Sequence, residues 1–357
     1  MDNKGTDTVV RLMREDEKKA TRRVLYRAFG WFKGVFSVFS PHTFIALKEN
    51  EIVGGVILDI FTLPNGRKTG KVAWIFTAPQ ARGLSLGQRL AEKAIDFFRE
   101  QGCDEQMAAV EGNNTSSSKL FATRGFDILP AGAQFRRYGV WTFLMWLKMF
   151  HYMSPGFFLW ARPGDKKPDS PALQWIATLV LNITVLLLFT LRLQKNVSLW
   201  FYYSVSFFIF LGMRQIAMHT AAGIMKEKVR FRMWESGFPL SFLIAIFSGG
   251  FFPVPGNVYP DEKVWKYKDK VSTLGKVALS GIVIILIPFS VTWGYIRFNG
   301  STNQLLSSFV MIGRIFLIFD LLFFFFPFIG FNGRRIWDWN KFFWAVPSAA
   351  ALALIFL

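Results

Sequence analysis

Residues 78–102 read APQARGLSLGQRLAEKAIDFFREQG, and the fold of the first third of the chain turns on this stretch. The run Lys71–Thr77 before it is β-branched and aromatic, as a strand requires. A Gly-containing turn follows, then Leu86, Leu90, Ala94 and Phe97/Phe98 repeat every three to four residues, the period of an amphipathic helix. A tight turn opening a helix aims unpaired N–H groups and the positive helix end at one point, which suits a pyrophosphate. Upstream, Thr43–Lys48 and Ile52–Phe61 read as two strands joined by the turn Glu49-Asn50-Glu51, and residues 8–28 show a charged helical pattern.

Two linked motifs give the stretch a context. Gln80-Ala81-Arg82-Gly83-Leu84-Ser85, followed by Leu86-Gly87, resembles the coenzyme A loop of the Gcn5-related N-acetyltransferase (GNAT) superfamily, Gln/Arg-x-x-Gly-x-Gly/Ala, with Ser85 in the last position. Downstream, Asn114-Thr-Ser-Ser117-x-x-Leu120-Phe121-x-x-x-Gly125-Phe126 is similar to that family's Asn-x-x-Ala-x-x-Leu-Tyr-x-x-x-Gly-Phe. The resemblance covers about residues 9–135. It implies a mixed, mostly antiparallel α/β sheet flanked by helices, with acetyl-CoA held in a splay between the strands ending near Thr77 and Glu111. Phe76 and Thr77 would hold the pantetheine arm, and the N–H groups of Arg82 to Gly87 the pyrophosphate. Gln80, Leu84, Asn114 and Ser117 complete the expected coenzyme contacts.

Acetyl transfer to an amine needs a neutral nucleophile, a polarised carbonyl and a proton for the departing thiolate. The tyrosine that donates this proton in the family is replaced by Phe121, which has no proton to give. Tyr138, Tyr26, a water or the substrate itself are the alternatives. For the base, Glu111 is the carboxylate in the strand-like AAVEG, with Asp59 and Glu51 as weaker candidates; a solvated strand-end role for Glu111 is equally open.

The remainder of the chain has another character. Residues 1–138 carry 21 Lys/Arg and 15 Asp/Glu, whereas residues 139–357 carry 21 and 9 together with nearly all long apolar runs. The +18 net charge is better explained by membrane topology than by nucleic acid, because the basic residues cluster between apolar runs. Spanning candidates are Leu173–Leu191, Leu199 to about Gly223, Val277–Ile296, Leu305–Phe328 and Phe342–Leu357. Phe238–Phe252, about 22 Å as a helix, is broken by FFPVPGNVYP and reads as re-entrant. Loops 226–232, 261–270 and 332–341 are basic, which places them and the N-terminus on the cytoplasmic side of a cell membrane. Residues 139–170, aromatic, basic and interrupted by Pro155, read as a connector lying in the interface, a sixth span being the alternative. Met1–Lys33 shows no cleavable signal pattern, and one cysteine, Cys103, fits a reducing compartment.

Within the apolar region, RQIAMHTAAG (214–223) has the length of an HExxH zinc motif but only its last histidine, His219. With Phe231-Arg-Met-Trp234, FFPVPGNVY (251–259), Gly275-Lys276 to Gly281, and Asn332-Gly333, the order resembles archaeal members of the site-2 protease family over about residues 172–350. The resemblance also implies lost zinc chemistry: Gln215, Ile216 and Asn332 stand at the first histidine, the catalytic glutamate and the aspartate, so no zinc and no proteolysis are expected. Arg214, His219, Arg314 and Asp320 are expected to face protein or a polar cavity. Taken together, residues 1–138 are expected to be an acetyl-CoA-binding domain, 139–170 a connector, and 171–357 a membrane domain of five or six crossings. The expected partners are acetyl-CoA, an amine-bearing protein or membrane-associated substrate, and the bilayer. A non-catalytic, coenzyme-responsive pseudoprotease is the alternative.

Overall fold

A computed structural model of the chain describes residues 8–35, 37–81, 83–165, 170–194, 196–300, 303–325 and 328–356. The chain divides into two compact units, Met1–Val110 with Ser116–Tyr152 and Phe158–Lys167, and Glu111–Thr115 with Met153–Phe157 and Pro168–Leu357.

The first unit is built on a seven-stranded sheet in the order β1-β2-β3-β4-β5-β7-β6. Its strands are β1 (Thr8–Leu12), β2 (His42–Lys48), β3 (Glu51–Thr62), β4 (Lys68–Thr77), β5 (Glu105–Glu111), β6 (Asp127–Ile128) and β7 (Phe157–Arg162). The first four pair antiparallel, whereas β4 and β5 are parallel. The connection between those two is α3 (Leu86–Glu100), which buries Leu86, Leu90, Ala94 and Phe98, the period read from the sequence. Helices α1 (Lys18–Phe29), α2 (Trp31–Val35), α4 (Thr115–Ala122), α5 (Ala131–Tyr138) and α6 (Thr142–Lys148) complete the elements of this part of the chain.

Two expectations need correction here. Residues 8–12 form a strand, not the start of a helix, because TVVRL is β-branched and pairs with β2 from Thr8↔Lys48 to Leu12↔Phe44. The stretch 139–170 is not interfacial throughout: Phe157–Arg162 is a strand of the sheet, with Phe158, Leu159, Trp160 and Ala161 buried.

The second unit is helical, with four helices among the described residues long and apolar enough to cross a membrane: α7 (Pro171–Arg192), α8 (Val197–Ile224), α10 (Tyr267–Asn299) and the run Gln304–Leu322, which α11 (Gln304–Phe316) opens. The span expected to continue to Phe328 therefore stops at Leu322, where Phe323 turns to an extended conformation. A 16-residue helix, α13 (Lys341–Phe356), follows the short α12 (Asn332–Trp339).

Between α8 and α10 the chain makes a deep hairpin. Its base is tied by β8 (Val229–Arg232) and β9 (Asn257–Pro260), paired from Val229↔Pro260 to Arg232↔Asn257, so the segment enters and leaves at one end. It rises as α9 (Phe238–Leu243) and one wider turn to Ser248. Gly249 turns beside Leu193, at the far end of α7, and the buried stretch Phe251–Gly256 returns without helical bonds. Bare backbone at such depth must find partners inside the protein. Asn182, halfway along α7, supplies them: its Nδ2 donates to the Val254 carbonyl and its Oδ1 accepts the Val254 N–H, both at 3.0 Å.

A buried polar chain holds the same end of the unit. Arg214 donates through Nε and Nη2 to the two Asp320 oxygens at 2.7 and 3.2 Å. Asn332 adds its backbone N–H (3.1 Å) and its Nδ2 (2.9 Å) to the same carboxylate. Asn257 Nδ2 donates to Asn332 Oδ1, and Asn257 Oδ1 accepts from Arg335, whose guanidinium lies 4.6 Å over the Tyr259 ring. The Tyr259 hydroxyl in turn accepts from Trp234 Nε1. Gly333 belongs to this arrangement, because a Cβ there would collide with the Leu321 carbonyl oxygen.

His219 does not join the network. Five residues from Arg214 is a rotation of about 140° around the helix, whereas four residues, to Met218, is about 40°. Accordingly Arg214 and Met218 are buried, with Asn332 Nδ2 3.7 Å from the Met218 sulfur, while His219 is exposed with Nδ1 3.0 Å from the Gln215 carbonyl oxygen. The expected shared polar cavity of Arg214 and His219 is therefore corrected: the arginine is sealed against Asp320, and the histidine lies on another face.

Removing Asp320 strands a buried guanidinium. We expect Asp320→Ala to cost about 3–5 kcal/mol in detergent-titrated unfolding in bicelles, and His219→Ala to stay within about 0.5 kcal/mol. In the same assay Asn182→Leu leaves both Val254 backbone groups unpaired and is expected to cost at least about 2 kcal/mol; a neutral result would show that the hairpin does not depend on this side chain.

Candidate functional site

The site begins with a strand that stops pairing. β4 and β5 run in parallel register from Thr69↔Glu105 to Val72↔Ala108, yet β4 continues to Thr77 and β5 to Glu111. The cause lies on the other edge of β4, where Trp74 faces Ile57 and Val72 faces Leu58, so Ala73 is one residue too many. Such a bulge bends its strand and increases the local twist. Beyond it, Ile75, Phe76 and Thr77 remain paired to β3 while their other edge opens on a wedge. An open strand edge offers N–H and C=O groups to an extended, amide-bearing ligand.

At the mouth of the wedge the turn before α3 takes two left-handed residues, Gly83 (φ +90°) and Ser85 (φ +56°). A Cβ at Gly83 would meet nothing within 4 Å, so glycine is required there by conformation rather than by space. Ser85 is the N-cap of α3, and its carbonyl accepts the N–H groups of Gln88 and Arg89. The N–H groups of the preceding turn have no intrahelical partner and share the positive end of the helix dipole, an arrangement that favours an anion.

These elements enclose a cavity of about 800 Å³, a size typical of small-molecule sites. Of the residues expected from the sequence, Phe76, Thr77, Gly83, Ser85, Leu86, Gly87 and Ser117 line it. Gln80 and Leu84 are exposed and are not among its lining residues, and Arg82 lies outside the described residues. Asn114 and Glu111 fall in the Glu111–Thr115 segment, which groups with the second unit.

The structure does not bring Tyr138 to the cavity. Its buried hydroxyl donates to Glu105 Oε2 at 2.7 Å, and Glu105 Oε1 accepts from Thr69. Burial first, then the adjacent carboxylate, push the phenol well above its ordinary range. Glu105 opens β5 and Glu111 closes it, a separation of about 20 Å along an extended strand. Phe121 is buried too, edge-on to Phe126 at 5.1 Å, so the position that carries tyrosine in the resembled family faces the core.

Sequence reasoning missed the cationic wall. Lys119 and Arg124 line the cavity with Ser116, Leu120 and Thr123, the last three spaced as one face of α4 and its end. Arg124 donates to Glu92 at 2.7 Å and to the Leu120 carbonyl at 3.1 Å, and its buried Nε has no partner among the described residues. The signal was available: two basic residues flank this helix face just before Gly125-Phe126.

Residues 7–126 match the profile described as the acetyltransferase (GNAT) family. The chain is similar to mycothiol acetyltransferases of Beutenbergia cavernae, 33% identical over 67 residues, and Corynebacterium jeikeium, 30% over 71. These matches span 19% and 20% of this chain and only 23% and 21% of those relatives. Among solved structures it is similar to the PaiA N-acetyltransferase from Thermoplasma acidophilum in complex with coenzyme A (12% identity, 43% of this chain and 97% of that one, TM-score 0.32). The NatC complex bound to Gag peptide and CoA gives 17% identity, 44% and 99% coverage, and a TM-score of 0.32. Residues 7–126 are thus similar to the acetyltransferase (GNAT) family, and a helical region follows with four membrane-length helices among the described residues.

Proposed function

We propose that this protein is a membrane-anchored N-acetyltransferase that moves acetyl from acetyl-CoA to an amine of a protein or membrane-associated substrate. The observation that carries the proposal is the wedge between β4 and β5 opening beside the left-handed turn of α3. Extended backbone on one side and convergent N–H groups on the other match the two halves of coenzyme A, an amide-bearing arm and a pyrophosphate. Lys119 lines the cavity and supplies positive charge suited to a phosphorylated ligand, while Arg124, paired with Glu92 in the same wall, offers its Nε as a donor. Gln80, Arg82, Leu84 and Asn114 are proposed as further coenzyme contacts from the sequence motifs alone.

The bound coenzyme supplies an activated thioester; the chain must orient it and manage protons. Glu111, the last residue of β5, is proposed to take one proton from the acceptor ammonium, freeing the lone pair that attacks the carbonyl carbon. As the C–N bond forms and the C–S bond breaks, a second proton leaves the nitrogen for the departing thiolate. Water or the acceptor itself relays that proton, since Phe121 is in the core and Tyr138 is bound to Glu105.

The basic loops 226–232, 261–270 and 332–341 support a cytoplasmic placement of the N-terminal unit. We further propose that the membrane unit is a non-proteolytic relative of site-2 proteases serving as anchor and substrate holder. In its favour, Trp234, Asn257, Tyr259 and Asn332, drawn from three separate motifs, share one buried network. A second reading, a coenzyme-responsive receptor without turnover, is favoured by Phe121 alone.

Calorimetry with acetyl-CoA tests the binding site. Forcing a β-carbon into the φ of Gly83 costs about 1–3 kcal/mol, so Gly83→Glu is expected to weaken binding at least about fivefold, with charge repulsion adding to it. Absence of heat from the unmodified protein at millimolar ligand would sink the proposal. Turnover of acetyl-CoA with a membrane extract separates the two readings: Glu111→Gln should slow it by about 10²–10⁴-fold while coenzyme binding stays unchanged. Binding without any turnover would favour the receptor.

A further inference from the structure

Residues 131–164 hold Arg136, Arg137, Lys148 and Arg162 and no aspartate or glutamate. Within them α6 is divided sharply between two faces. Met145, Trp146 and, just after the helix, Met149 are buried. Phe143 (56% exposed), Leu147 (61%) and the preceding Val140 (73%) and Trp141 (40%) point outward, next to Phe135 (39%) of α5. Large apolar side chains exposed together in this way mark a surface that meets something other than water.

The surface is also held rigid from beneath. Gln134 is buried under it, donating to the Leu129 carbonyl and the Tyr152 hydroxyl at 2.7 and 2.8 Å and accepting from Trp146 Nε1 at 2.6 Å. The rings of Phe135 and Phe143 stand edge-on to Trp146 at 5.9 and 5.5 Å. An apolar platform fixed before contact loses little side-chain entropy on docking.

We infer that this aromatic platform is a peripheral contact surface for an anionic lipid bilayer. Three observations select the occupant. The chain itself carries four helices of membrane length, so a bilayer is at hand wherever this unit is. Exposed tryptophan and phenylalanine beside a lysine are the side chains that settle at the headgroup boundary. Arg136 pairs with Asp165 and Arg137 lies 3.6 Å from Glu105, so Lys148 and Arg162 are the basic residues of this stretch left to favour an anionic surface. The inference is independent of the acetyl-transfer proposal, and its readout does not use catalysis.

The test is nitroxide depth measurement on the full chain in nanodiscs, in a Cys103→Ser background. Labels are placed at Leu147→Cys and, as an independent second position, Val140→Cys, with Arg99→Cys on exposed α3 as the aqueous control. Collision with oxygen relative to a water-soluble nickel chelate gives the depth. We expect oxygen preference at Leu147 and Val140, increasing when phosphatidylglycerol is added to phosphatidylcholine, and nickel preference at Arg99. Nickel preference at both platform positions overturns the inference. So does protection from both reagents, which would mean that protein covers the face, and so does equal depth with and without phosphatidylglycerol.

Discussion

One surplus residue in β4 governs the first unit. Ala73 has no partner of its own on β3, and the bend it forces ends the parallel pairing at Val72 and Ala108. Without that divergence β4 and β5 would continue side by side to Thr77, and their facing backbone groups would satisfy one another. A packed parallel sheet has no use for a ligand between its strands. The bulge therefore converts stability into an opening, and the turn at Gly83–Ser85 places a helix N-terminus where the opening ends.

The second unit answers the opposite problem, polar groups that must not be left open. Asp320 accepts four hydrogen bonds, two from Arg214 and two from Asn332, which fills the lone-pair sites of a carboxylate. In a low-dielectric interior a half-satisfied set of this kind would cost more than an apolar one. The same reasoning explains Asn182, whose amide imitates a strand neighbour for Val254. Helices α7, α8 and α12, the run Gln304–Leu322 that carries Asp320 and the hairpin are thus tied together by buried hydrogen bonds.

Much of this was legible in the sequence because local period and turn chemistry dictated it. The α3 stripe, the β2–β3 turn at Glu49 and Asn50 and the four long helices follow from side-chain spacing alone. The strand at Thr8–Leu12 was not legible, since pairing partners 32 to 40 residues on decide it against the charged helical pattern that follows. Nor was Phe157–Arg162, whose aromatic composition reads equally as membrane interface or as sheet core; only its neighbours in the sheet separate the two. At the site, the anion loop was readable from its glycine; the basic residues Lys119 and Arg124 were visible in the sequence, but that they line the cavity depends on which face of α4 turns inward. The pentad QIAMH left helix phase open for a related reason: motif spacing identifies residues but not the face they take, and Met218, not His219, lies against Asn332 while Arg214 pairs with Asp320.

That phase also bears on where chemistry can take place in the chain. A polar pocket in the membrane unit would need donors and acceptors with unused capacity aimed at a common space. Asp320 has none left, and Asn332 both donates to Asp320 and accepts from Asn257. Within the network the atoms still lacking a partner, among the described residues, are Arg214 Nη1 and Arg335 Nε, one nitrogen on each of two otherwise bonded guanidiniums. A head group entering there would have to break the ion pair that holds α8, a cost of several kcal/mol before any gain. The cavity beside β4, by contrast, keeps an open strand edge, a helix N-terminus and an unpaired arginine nitrogen together. The features that would hold a ligand are therefore those of the cavity beside β4, and the buried polar network of the second unit is explained by the fold it holds.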